Sequence, residues 1–294
     1  VSGESSVSGE SSVLEEADRS AATDRPDRPE VSIVAPIHNE IESLPALVTA
    51  IAEVMIKLDC SYEIVLVDDG STDGSSAWLE AAAQERSELV AVILRRNYGQ
   101  TAGMAAGFDY ARGRMIVTLD ADLQNDPADI PQLLAKLNEG YDLVTGWRKD
   151  RQDDALTRLL PSKIANMIIR RVTGVRVRDY GCSLKAYRAE LVADMNLYGE
   201  LHRFLPALAA MEGARIADVP VRHHARQFGQ SKYGLGRTFR VVMDLLTIWF
   251  MRRFLNRPMH VFGLLGGGML ALGLLLGLYL LGLKLILGES IGDR

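Results

Sequence analysis

Asp120 and Asp122 stand one residue apart at the end of an apolar run, in MIVTLDADLQNDP (115–127). Met115 to Leu119 has the composition of a buried parallel strand. Asp126 before Pro127 marks a helix start, with Asp as N-cap and Pro in the first helical position. The two carboxylates, with Ala121 between them, are therefore expected at the C-terminal mouth of a strand, where open α/β sheets place ligands. Carboxylates this close repel each other unless a cation compensates them. Their oxygens, together with a diphosphate, suit Mg²⁺ or Mn²⁺. The plainer alternative is an acidic loop that is simply solvated.

The surrounding elements decide between these readings. VSIVAP (31–36) is a short apolar strand, followed by His38, Asn39 and Glu40 and then by helical spacing from Ile41 to Leu58. Asn39 with Glu42 also fits a capping box. YEIVLV (62–67) ends in Asp68, Asp69 and Gly70 before a helix from about Asp73. LVAVIL (89–94) precedes Gly99, Gly103 and Gly107, which suit either phosphate contact or close helix packing. YDLVTGWR (141–148) is the fifth strand, and Arg215–Val221 alternates as another. Strand and helix in this alternation imply a doubly wound, mostly parallel sheet. Its polar strand ends then fall on one edge: Asn39/Glu40, Asp68/Asp69, Asp120/Asp122 and Trp147/Arg148. One acidic strand end is a cap, but the same end on successive strands is a site. The chain has neither G-x-G-x-x-G after its first strand nor a P-loop, so it carries neither the usual dinucleotide fingerprint nor that of a P-loop kinase.

Composition divides the chain further. Residues 1–30 hold eight acids against three arginines, which accounts for the whole formal charge of −5. This segment repeats VSGESS, lacks the apolar core of a secretion signal, and is expected to be a disordered acidic tail. Cys60 and Cys182 form no metal or redox spacing and are read as core residues of a protein in a reducing compartment. Residues 149–177 contain a basic amphipathic stretch that either lies on a membrane surface or covers the sheet edge. Between Arg222 and Arg257 eight basic residues face Asp244 alone. Val261–Leu283 is uncharged and long enough to span a bilayer of roughly 30 Å. Lys and Arg before the span place that side in the cytoplasm, and Val241–Phe254 reads as an interfacial helix. A basic run that abuts a membrane span favours lipid and excludes nucleic acid as its partner. Gly263/Gly267 and Gly273/Gly277 permit close helix contact, hence a homo-oligomer. The expected organisation is tail 1–30, cytoplasmic domain 31–225, basic interfacial segment 226–257, transmembrane helix 258–288 and a short end at 289–294.

PIHNE, VDDGSTDG, LDADLQNDP, GWR, RDYGCSLKAYR and RQFGQSKY, in this order before a span, resemble the polyprenyl-phosphate glycosyltransferases. These are inverting enzymes of the GT-A fold related to dolichol-phosphate mannose synthase, and the nearest likeness is to the bacterial undecaprenyl-phosphate glucosyltransferases. The resemblance covers Val31 to about Leu283. It implies that Pro36, His38, Glu40, Val67 and Asp69 border the nucleoside, and that Asp120, Ala121 and Asp122 meet the ribose and diphosphate. It also implies that Asp122, Gln124 and Asp120 hold Mg²⁺ or Mn²⁺, while Arg148, Arg226, Ser231 and Lys232 meet donor or acceptor phosphates. His38 replaces a Tyr of the mannose synthases. The relatives usually carry a second span, and one is read in this chain.

The implied reaction moves a hexose, glucose by the nearest likeness with mannose or another sugar as the alternative, from a nucleoside diphosphate sugar such as UDP-glucose to a polyprenyl phosphate in the plasma or inner membrane. Asp179 is the implied catalytic base. A phosphomonoester acceptor with its second pKa near 6 is already mostly a dianion at neutral pH, so Asp179 has orientation as an alternative duty. Two other readings stand beside this one. A processive polysaccharide synthase of the same fold requires a Q-x-x-R-W motif, which is absent. A silent membrane scaffold, partner of a lipid-sugar flippase, is the reading from another class.

Overall fold

The computed structural model describes residues 28–149, 167, 169–171, 173–193, 195, 197, 199, 201–225, 243, 246–251, 254 and 259–287. The chain divides into two units, Val1–Asp244 and Leu245–Arg294. In the first, strand and helix alternate: β1 (Val31–Ile37), α1 (Leu44–Lys57), β2 (Tyr62–Asp68), α2 (Ser75–Glu85), β3 (Leu89–Ile93), α3 (Gln100–Tyr110), β4 (Met115–Thr118). Then come a 3₁₀ turn (Pro127–Asp129), α4 (Ile130–Asn138), β5 (Leu143–Arg148), β6 (Lys185–Arg188), α5 (Ala189–Ala193), a second 3₁₀ turn (Leu201–Phe204), α6 (Leu205–Met211) and β7 (Ile216–Val221).

The seven strands form one sheet in the order β3-β2-β1-β4-β6-β5-β7. β1 is apolar on both sides because both sheet faces are covered, and six of its seven residues are buried. Ile33, Ala35 and Ile37 join the core under α1, α2 and α4. Val34, Val65 and Val67 join the opposite core under α3, α5 and α6. β6 runs antiparallel between β4 and β5, with Ile116 opposite Tyr187 and Val144 opposite Ala186. All other pairings are parallel. The sequence pattern assigned no strand at Lys185–Arg188, because four residues paired across long sequence separations leave no local signature.

The expected capping box at Asn39 is corrected. Asn39 has a φ of 56°, and its Oδ1 accepts the Thr72 N–H at 2.8 Å, so it joins the β1 and β2 loops. α1 starts later, at Leu44. At the other predicted start the reading holds: the Asp126 carboxylate accepts the Ala128 N–H at 2.9 Å, and Pro127 opens the turn.

His202 fastens the second 3₁₀ turn to α3, its Nδ1 lying 2.6 Å from Thr101 Oγ1 in the interior. Burial, with Arg203 and Lys185 adding to it, drives its pKa down to about 3. An unfolded chain takes up this proton near pH 6.5, and the folded one does not. His202 therefore contributes stability that is complete above pH 6.5 and is lost as pH falls toward 3, by at most about 1.4 kcal/mol per pH unit. Denaturant midpoints measured from pH 7 to 4 are expected to fall less steeply in His202→Gln; parallel slopes would show that other groups carry the acid sensitivity.

The second unit contains α7 (Met259–Leu287). Phe262–Leu285 within it has a mean hydropathy of 2.1, long and apolar enough to cross a membrane. This matches the span read from sequence. Trp249, Phe250, Phe254 and Phe262 make successive ring contacts at 5.5–5.9 Å between centroids.

Candidate active site

The carboxyl ends of β1, β2 and β4 open on a cavity of about 250 Å³. Its lining unites seven residues expected from sequence: Pro36, His38, Glu40, Asp69, Asp120, Ala121 and Asp122. They meet because parallel strands deliver their C-terminal loops to one edge. Asn97, Gly99 and Gln100 complete the wall from the loop after β3. Sequence reasoning noted Gly99 but missed Asn97 and Gln100, although polar residues directly after a strand of the same sheet were a usable signal.

The loops brace one another. Both Asp69 oxygens are engaged, Oδ1 by the Tyr98 N–H at 2.6 Å and Oδ2 by the Gly99 N–H at 2.8 Å. His38 Nδ1 lies 2.9 Å from the Asp69 carbonyl. Asp68 accepts from the hydroxyls of Ser71 and Ser76, so the first acidic residue of VDDGSTDG shapes its own loop. Gly70, at φ +66°, is needed for a further reason. A Cβ there would stand 2.5–2.8 Å from the backbone of Arg96 and Asn97, which forms the cavity wall. Gly70→Ala is expected to lower stability by about 1–3 kcal/mol, as overpacking does. An unchanged urea midpoint would mean that the 96–97 loop yields freely.

Asp120 and Asp122 form the acidic floor. Asp120 Oδ1 accepts from Gln100 Nε2 at 2.9 Å. Asp120 touches the cavity yet is walled in by protein, and this desolvation, reinforced by the Asp122 charge, raises its pKa. Asp122 is buried and accepts the Gln124 N–H at 3.1 Å. Two crowded carboxylates offering oxygen donors fit a hard divalent cation. Among the described residues no group of three His, Cys, Asp or Glu forms a complete metal cage. In general, Mg²⁺ bound by one or two carboxylates takes its remaining ligands from water and substrate phosphates.

Beside the floor lies a buried ion pair. Arg148 Nε meets Asp179 Oδ2 at 2.7 Å and Nη2 meets Oδ1 at 3.0 Å, a two-pronged contact. Burial pulls the guanidinium pKa down, but the Asp179 bonds and charge more than offset it, so the net shift is upward. The Gly181 N–H also binds Asp179 Oδ1, at 3.1 Å. Lys185, buried on β6, donates to the Cys182 carbonyl and is held below its usual pKa by desolvation. It contributes positive charge near Asp120. Cys182, also buried, has its thiol pushed up to about 11 by desolvation, which suits the core role read for it. Neither Lys185 nor β6 was foreseen as part of this region.

Other expected residues are placed differently. Val67 does not line the cavity: it is fully buried, and its side chain packs toward Gly103 and Gly107 of α3. Strand alternation explains this, since Val65 and Val67 share the face that α3 covers. The glycine series thus divides, Gly99 lining the cavity and the other two allowing close helix packing. Gln124 contributes its backbone, the carbonyl accepting the His224 N–H at 2.9 Å. Arg226, Ser231 and Lys232 lie outside the described residues. The chain just before them is latched to the loop after Asp122. Arg222 pairs with Asp129 at 2.9 Å and with Asp126 at 3.0 Å, and His223 bridges Asn125.

A mostly parallel sheet with a cavity and paired aspartates at its carboxyl edge defines a GT-A-type fold. The fold aligns with glucosyl-3-phosphoglycerate synthase from Mycobacterium tuberculosis in complex with Mn²⁺, uridine diphosphate and phosphoglyceric acid. The TM-score is 0.57 at 18% identity, over 79% of this chain and 80% of that one. TarS from S. aureus, in complex with UDP-GlcNAc, aligns at a TM-score of 0.53 and 19% identity, over 76% of this chain and 66% of the other. In sequence, the profile of glycosyl transferase family 2 matches residues 32–195. The chain is 49% identical to the dodecaprenyl-phosphate galacturonate synthase of Rhizobium johnstonii, over 90% of this chain and 80% of the relative. It is 44% identical to the undecaprenyl-phosphate 4-deoxy-4-formamido-L-arabinose transferase of Shewanella sediminis, over 89% and 78% respectively. The chain belongs to glycosyl transferase family 2, and these relatives are polyprenyl-phosphate sugar transferases. Their names carry galacturonate and formamido-arabinose, neither of them glucose.

Proposed function

We propose that the chain transfers a sugar from a nucleoside diphosphate sugar to a polyprenyl phosphate, with galacturonate as the sugar and uridine as the base. The observation that carries the reaction type is the Asp120/Asp122 floor of a cavity built from three strand ends. Galacturonate rests on the relative at 49% identity, and it replaces glucose as first choice. The catalytic unit is assigned to the cytoplasmic side by the basic residues that precede the span.

In this reading His38 and Glu40 border the nucleoside, while Asp69 acts by fixing the 98–99 backbone against it. Asp122, with Asp120 and the side chain of Gln124, would hold Mg²⁺ or Mn²⁺, which when bound offsets the charge on the departing nucleoside diphosphate. Arg148 presents its guanidinium to donor or acceptor phosphate, and Asp179 fixes the angle of that guanidinium. Both Asp179 oxygens are occupied by Arg148, and the acceptor is already a dianion, so Asp179 serves as a positioning group rather than a proton acceptor. Direct attack by the acceptor oxygen on the anomeric carbon inverts it.

The test uses purified full chain in detergent with undecaprenyl phosphate and labelled UDP-galacturonate, UDP-4-formamido-arabinose or UDP-glucose, with Mg²⁺, Mn²⁺ or chelator. Label entering an organic-extractable lipid only with metal, and a product of inverted configuration by NMR, are the expected results. No transfer from any donor by folded protein would refute the reading, and a retained configuration would refute single displacement.

A further inference from the structure

A second concavity, a cleft of about 920 Å³, shares no lining residue with the acidic cavity. Arg170, Arg171, Arg176 and Arg178 line it, and among the described residues Asp218 is the one acid of the lining. That acid is already engaged. Its Oδ1 accepts from the Thr145 hydroxyl at 2.6 Å, and its Oδ2 accepts the Arg178 backbone N–H at 3.1 Å. Among the described residues no ion pair reaches Arg170, Arg171 or Arg176. Arg170, Arg171 and Arg176, gathered without an ion pair among the described residues, repel one another, and an anion entering the cleft relieves that repulsion. The planar guanidinium fork matches phosphate oxygens in particular.

The rest of the lining narrows the source of the phosphate. Arg178 is stacked over the Trp147 ring at 4.4 Å, and Met167 stands 61% exposed at the rim. A cationic cleft with an exposed thioether in its lining and an indole stacked behind one of its arginines suits the boundary between headgroups and acyl chains. The same chain carries a segment able to cross a bilayer, so connectivity alone brings this unit to a lipid surface. The reacting phosphate of the acceptor belongs elsewhere. Along β5, Arg148 turns to Asp179 and the acidic floor, while Trp147 turns to Arg178. Successive strand residues face opposite ways, so cleft and catalytic pair occupy opposite sides of the strand end.

We propose that the Arg170/Arg171/Arg176/Arg178 cleft binds the phosphate of an anionic phospholipid headgroup at the bilayer surface. The test reads docking without reference to sugar transfer, so it stands or falls apart from the proposed reaction. Trp78→Phe with Trp249→Phe leaves Trp147 as the sole tryptophan of three. The full chain with these changes is placed in phosphatidylcholine nanodiscs, with and without phosphatidylglycerol, and quenched by headgroup spin-labelled lipid. Phosphatidylglycerol is expected to raise the quenching slope about two-fold or more, and high salt to reverse the rise. Arg170→Glu with Arg176→Glu should abolish the rise. The milder pair Arg170→Gln with Arg176→Gln should reduce it, in case the reversal impairs folding. Quenching indifferent to phosphatidylglycerol, or unchanged in both variant pairs, would overturn the proposal. Loss of the effect on adding millimolar inorganic phosphate would reassign the cleft to a free ion, and loss on adding RNA would reassign it to nucleic acid.

Discussion

Asp179→Asn is expected to lower turnover by about 100-fold or more, with the KM for the donor little changed. Asn keeps the shape of Asp179 but loses its charge and one of the two bonds to the guanidinium, so Arg148 is free to leave the angle at which it meets phosphate. A collapse of donor affinity instead would move Asp179 into the nucleotide site. The partner substitution separates structure from function. Arg148→Met leaves a buried carboxylate without its cation, which typically costs about 3–5 kcal/mol. The double variant Arg148→Met/Asp179→Leu removes both charges together, and replacing a buried ion pair by apolar groups is often neutral for folding. It should therefore recover the denaturant midpoint while remaining inactive. Recovered activity in the double variant would show that the pair serves only to hold the fold.

Asp122→Asn should abolish transfer, by about 100- to 1,000-fold or beyond, because it removes the charge that the departing diphosphate and its cation need. Calorimetric titration with uridine diphosphate should lose its dependence on Mg²⁺ or Mn²⁺ in this variant. Without metal or donor, the same substitution is expected to raise the melting temperature. Asp122 lies close enough to push the Asp120 pKa upward, so neutralising it relieves a repulsion that the free enzyme otherwise carries. Gain of stability with loss of activity is the signature of a strained functional site. A variant that melts earlier and still transfers sugar would make Asp122 a structural residue.

The acidic strand ends were legible in the sequence because parallel strands are apolar runs with an abrupt end, and alternation with helices fixes where those ends point. That reasoning needs only local patterns, and it brought Glu40, Asp69, Asp120 and Asp122 to one edge, while Pro36 and His38 came as site residues with the family resemblance. The apolar span was equally plain, since its length and lack of charge are properties of one continuous stretch. Motif order supplied the family, and through it Arg148 and Asp179 as candidates, but not their contact.

Tertiary structure decided what depends on residues distant in the chain. The Arg148–Asp179 pair joins positions 31 residues apart. The Arg222–Asp129 latch spans 93 residues. β6 is four residues long and exists as a strand only because β4 and β5 flank it with free backbone groups. No periodicity marks such an element. Val67 shows the same limit from the other side: a motif assigned it to the nucleotide, and the packing of α3 against its face of the sheet placed it in the core. Sequence records which groups each strand delivers to its end; the pairing of strands and the faces that helices cover determine which groups meet.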